Sequence, residues 1–88
     1  MYTYEIEKAI STVYVDRNIS LELNVISHNG AEAKYDLRRW NTRNGEHIMS
    51  KGLAMTKEEL ANLKKVLNSM DIWGKKDGWK QTILLVET

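Results

Sequence analysis

The chain contains no cysteine and no proline. Without cysteine there can be no disulfide, no thiolate metal site and no cysteine nucleophile, a composition that fits a reducing compartment. Without proline there is no compositional marker of a linker. No sign of charge dominates: the formal charge is +1 over 88 residues, so any nucleic-acid footprint must be local. The longest uninterrupted aliphatic run, Ile83 to Val86, falls far short of the ~20 residues that span a bilayer. No signal peptide is visible, so a cytoplasmic protein without membrane attachment is expected.

What is present is the composition of an ordinary globular domain, 42% hydrophobic and 28% charged. A domain of this size buries little more than ~60% of the surface its unfolded chain exposes, so support from a partner subunit is expected. Charge is distributed unevenly. Residues 1–33 carry two bases and five acids, whereas residues 34–52 carry five bases and two acids. Lys34, Arg38, Arg39, Arg43 and Lys51 lie in that basic stretch with Trp40 among them. Guanidinium groups beside an indole suit phosphate pairing and base stacking, although charges of this kind also serve simply to solvate a strand face.

Two Asn-Gly dipeptides, Asn29-Gly30 and Asn44-Gly45, are strong signals for tight hairpin turns. They predict consecutive antiparallel strands over Ile19 to His28, Ala31 to Arg43 and Glu46 to Met55. The β-branched and aromatic run Thr12-Val13-Tyr14-Val15 predicts a strand before them. Tyr4 and Ile6 share one parity in it and Val13 and Val15 the other, which a bulge near Ala9 to Ser11 would reconcile. Thr56 and Glu59 form a Thr-x-x-Glu capping box ahead of Leu60, Leu63, Leu67 and Met70 at helical spacing, with Val66 widening the stripe. Residues 1–70 therefore read as one α+β domain, a four-stranded antiparallel meander followed by one helix. Residues 71–88, with Trp73, Gly74, Asp77-Gly78 and Trp79, read as a C-terminal extension.

A single helix covers one face of such a sheet and leaves the other open to water. Alternation puts Lys34, Asp36, Arg38 and Trp40 on one face of the third strand, and Tyr35 and Leu37 on the other as the natural core pair. Trp40 is thereby expected on the open face as a stacking platform, or else covering a strand end or a subunit seam. Arg39 has core parity and is expected at an edge or reaching another subunit. Lys51 also has core parity, but Gly52 beside it suggests a bulge or a close backbone approach that turns the lysine outward.

No nucleotide-binding glycine loop and no zinc-protease motif occurs. His28 and His47 lie near turns and lack a clear third ligand, so they read as exposed turn histidines. Glu58 and Glu59 favour the helix dipole. No nucleophile, base and orienter form a constellation, so neither catalysis nor a cofactor nor a metal is expected.

The runs Glu22-Leu23-Asn24 with Ser27, Ala33-Lys34-Tyr35-Asp36-Leu37-Arg38-Arg39-Trp40, and Lys51-Gly52-Leu53 leading into Thr56-Lys57-Glu58-Glu59-Leu60 resemble YdbC-type bacterial proteins. These are short relatives of the eukaryotic transcriptional coactivator positive cofactor four. The resemblance covers about residues 4–70. It implies a homodimer joined largely through the helices, with Leu60, Leu63, Leu67 and Met70 at the interface, and single-stranded DNA lying across the sheet with slight sequence preference. By position, Lys34, Arg38, Trp40 and Lys51 match family positions on or beside that surface, and charge and location add Arg43. His28 stands about where bacterial relatives carry an aromatic ring, and the serine-rich acidic arm of the eukaryotic coactivator is absent. The expected function is non-catalytic binding of single-stranded DNA, in transcription, replication, recombination or repair. RNA binding and a protein-interaction module are the alternatives, since backbone pairing and stacking do not by themselves distinguish the sugars.

Overall fold

The computed structural model describes residues 1–72, so the extension assigned to residues 71–88, with Trp73 and Trp79, lies almost wholly outside the described residues. Four strands, β1 (Tyr4–Asp16), β2 (Ile19–His28), β3 (Lys34–Arg43) and β4 (Glu46–Met55), are followed by one helix, α1 (Lys57–Ser69). The strands form one antiparallel sheet in the order β1-β2-β3-β4, an α+β meander. Each strand pairs with its sequence neighbour, as short hairpin connections dictate.

The turns follow from residues that tolerate left-handed backbone. Asn44 (φ 52°) and Gly45 (φ 80°) close the β3–β4 hairpin directly, with Arg43 opposite Glu46. Asn29 (φ 52°) and Gly30 (φ 75°) turn the chain after β2, and the Ala31 amide donates to the His28 carbonyl at 3.0 Å. Pairing resumes only at Lys34, so β3 begins three residues later than the Ala31 start expected from sequence. Ser27 Oγ donates to the Ala31 carbonyl at 2.6 Å and holds the wider loop. Asn29 also fastens the N-terminal segment. Its amide donates to the Thr3 carbonyl and its Oδ1 accepts from the Thr3 amide, both at 2.8 Å.

β1 carries three register shifts, at Ile6/Lys8, Ala9/Ser11 and Thr12/Tyr14, rather than the single one expected near Ala9 to Ser11. An odd number of inserted residues returns Val15 to the face of Tyr4 and Ile6. A further shift falls between Arg38 and Trp40 where β3 meets β4. There Gly52 lies so close to β3 that a Cβ on it would overlap the Arg38 Cβ and sit 2.6 Å from the Leu37 carbonyl oxygen. Only glycine permits that approach.

In α1 both halves of the capping box form: Glu59 N–H donates to Thr56 Oγ1 at 3.1 Å, and the Thr56 amide donates to Glu59 Oε1 at 2.7 Å. Among the described residues the helix touches only β3 and β4. Leu60 and Leu63 are half-buried, whereas Val66, Leu67 and Met70 are exposed, as is Leu53 on β4.

Burial departs from the expected arrangement. Tyr35 and Leu37 are only half-buried, and the completely buried side chains among the described residues are Ile26, Asp36 and Trp40, all on the face expected to be open. Strand parity placed these residues together correctly, as the pairs Asn24–Asp36 and Ser20–Trp40 show. Parity does not reveal which face closes. Here side chains from β1, β2 and β4 fold over β3 across a sheet bent by its bulges, while the helix leaves its own side partly bare. Arg39 is likewise not at an edge: β3 is flanked by β2 and β4, and Arg39 falls in the register shift, where it has no partner on β4 and remains exposed.

Candidate nucleic-acid interface

The face bearing Asp36, Arg38 and Trp40 is built around two acids that are bonded from within. The Asp36 carboxylate, with 0% exposure, accepts from Arg38 Nε at 2.6 Å and Nη2 at 2.7 Å, and lies 3.0 Å from His28 Nε2. Arg38 Nη1 donates to the Ser50 carbonyl at 2.9 Å. The Tyr2 hydroxyl meets His28 Nδ1, and because an ionised carboxylate can only accept, His28 Nε2 is the donor to Asp36. Burial works to raise the Asp36 pKa, but the hydrogen bonds and charges of Arg38 and His28 together outweigh it and hold the carboxyl below its usual range.

Glu22, directly opposite Arg38 on β2, forms the second cluster. It accepts from Ser20 Oγ at 2.6 Å and Asn24 Nδ2 at 3.4 Å, and lies 3.0 Å from His47 Nε2. Its pKa is also lowered, with desolvation outweighed by the hydrogen bonds from Ser20, His47 and Asn24 and the His47 charge.

Between these clusters runs a series of rings. Tyr2 stacks on Tyr4 with centroids 6.3 Å apart and tilts against His28 at 5.8 Å. Tyr4 meets Trp40 at 5.7 Å, and His47 lies flat on Trp40 at 4.6 Å with 3° between the planes. The N-terminal tie through Thr3 and Asn29 places the two tyrosines in this series.

Two of the residues expected to meet DNA do not present themselves as expected. Trp40 has 0% exposure and is enclosed by Tyr4 and His47, so it offers no free face to a base. Its Nε1 is buried without a hydrogen-bond partner. The Arg38 guanidinium is engaged with Asp36 and Ser50 rather than held free for a phosphate. The cause is the same for both: strand alternation placed them on a polar face, and that face closes over its own side chains. Lys34, Arg43 and Lys51 are exposed. Lys34 shares the Trp40 face, Arg43 flanks the hairpin tip and Lys51 lies in the bulge between the Arg38–Gly52 and Trp40–Met49 pairs.

Sequence reasoning passed over Glu22, His47, Tyr2 and Tyr4 as site residues. Strand register could have found some of them. The Asn44-Gly45 hairpin sets His47 opposite Thr42, on the Trp40 face, and Glu22 faces Arg38 once β2 and β3 are aligned. The contribution of Tyr2 depends on a segment outside the strands and carries no periodic signal.

Among the described residues no group of three His, Asp or Glu side chains is placed to hold a metal ion, and no helix is long and apolar enough to cross a membrane. Fold and site together define a small meander-plus-helix protein whose sheet carries an internally bonded, ring-lined polar face edged by exposed cations. No family model matches the chain. It is similar to an uncharacterized protein of Treponema pallidum (strain Nichols), 38% identical over 72 residues that make up 81% of this chain and 82% of that protein. The chain belongs to the same family as this treponemal protein.

Proposed function

We propose that the protein binds single-stranded DNA, without catalysis and with little sequence preference, on the ring-lined face of its sheet. The observation that supports this best is the pairing of exposed Lys34, Arg43 and Lys51 with a face whose two acids are already satisfied. Asp36 is held by Arg38 and His28, and Glu22 by Ser20, Asn24 and His47. A phosphate chain crossing such a face meets exposed cations and partly screened carboxylates, and its bases meet rings, the combination used by sequence-tolerant single-strand binders. The resemblance of residues 4–70 to YdbC-type proteins points the same way. In this reading Arg38 and Trp40 build the floor of the interface, and the exposed groups around them make the contacts.

The functional unit in this reading is a homodimer joined through the helix stripe of Leu60, Leu63, Leu67 and Met70. Leu67 and Met70 keep 50% and 46% of their surface exposed in the single chain, beside exposed Val66.

Titration of a fluorescent oligothymidine at two ionic strengths tests the function. If Lys34, Arg43 and Lys51 each neutralise one phosphate, log affinity falls with log salt at a slope of about −2 per subunit, from roughly −0.7 per phosphate on single strands. Absence of binding at low salt contradicts the reading. Tighter binding of an RNA of matched sequence would reassign the substrate to RNA.

A further inference from the structure

His47 has a geometry that its place beside a turn does not require. One face of its imidazole lies on the Trp40 indole, 4.6 Å between centroids and 3° from parallel. Its edge is fixed by Nε2, 3.0 Å from Glu22 Oε2, and Glu22 is itself fixed by Ser20 Oγ at 2.6 Å. The side chain nevertheless keeps 43% of its surface exposed. A ring backed on one side, clamped at its edge and still open to solvent has already lost the rotamer freedom that a ligand would otherwise have to freeze, which favours stacking on its outer side. Trp40 itself, completely buried, cannot take that role.

We propose that the outer face of His47 is the platform on which a nucleobase stacks, with Trp40 as its backing and Glu22 as the residue that sets its orientation. The proposal rests on the reading of the sheet as a single-strand interface and assigns to His47 the stacking that sequence reasoning gave to Trp40. Every nucleobase presents a π face, so such a platform is tolerant of sequence. Tyr2 and Tyr4, exposed further along the ring series, lie where the strand would continue.

The test compares oligothymidine affinity of the wild type with that of His47→Ala, His47→Phe and Lys51→Ala, with folding of each checked by circular dichroism. It also follows the His47 ring protons by nuclear magnetic resonance as oligothymidine is added to the wild type. Loss of one base stack weakens His47→Ala about 5- to 150-fold. His47→Phe keeps a ring on Trp40 and retains most of the affinity, and the ring-current field of a stacked base moves the His47 protons upfield. Wild-type affinity in folded His47→Ala, with Lys51→Ala weakened, would overturn the platform while leaving the binding function standing. Loss of binding in folded His47→Phe comparable to that in His47→Ala would also overturn it, as would ring protons unmoved at saturation. A wild type that does not bind would overturn the binding function and the platform together.

Discussion

Removing the Trp40 indole empties the centre of the Tyr4–Trp40–His47 series, where no water-exposed surface remains. Trp40→Ala is therefore expected to cost about 3–5 kcal/mol of folding stability, measured by denaturant unfolding. A loss under about 1 kcal/mol would mean that the ring is not packed as described. Asp36 behaves differently because its removal strands a charge. Asp36→Ala leaves the Arg38 guanidinium in a largely buried site without its carboxylate, and a loss of about 3–5 kcal/mol is expected. Asp36 and Glu22 both titrate below their usual values. Each thus contributes stability that is complete above the unfolded carboxyl range, about pH 4, and is lost as pH falls through the lower folded value. Thermal unfolding followed from neutral pH to acid should show that decline, and Asp36→Asn should flatten its own part of it. An unchanged profile in Asp36→Asn would contradict the assigned role.

At the scale of strands and helix, the contact between Gly52 and β3 is the most constrained feature. Any side chain there meets the Arg38 Cβ and the Leu37 carbonyl, so Gly52→Ala is expected to destabilise by about 1–3 kcal/mol. Because the same approach allows Arg38 to reach Ser50 and defines the bulge holding Lys51, the variant should also bind DNA less well. Unchanged unfolding midpoints would show that β4 can move away without cost. The elements themselves were legible in the sequence because their signals are local. Asn44-Gly45 needs only left-handed backbone at two residues, and the Thr56–Glu59 box needs only one helical turn. The Asn29-Gly30 turn was legible, but the extra loop residues before Lys34 were not, since Ser27 and Thr3 hold that region from outside the dipeptide. Three bulges in β1 in place of one reflect the same limit: alternation reveals that the parity changes, not how often.

For the molecule as a whole, the site was only half legible. Parity grouped Lys34, Asp36, Arg38 and Trp40 correctly, yet which face closes depends on contacts from three other strands, and no single strand encodes them. The opposite imbalance, a helix stripe left bare at Val66, Leu67 and Met70, carries the expectation of a dimer. Light scattering at micromolar concentration should return twice the chain mass, and Leu67→Glu should return the monomer. A wild-type monomer would reject the helix-mediated dimer. The most direct test of the central claim is a map of backbone amide shifts in the wild type as oligothymidine is added. The account predicts that the largest changes gather at Lys34, Arg43, His47 and Lys51, with the exposed end of α1 little affected. Changes confined to α1 or to the β1 edge, with those four residues silent, would contradict it.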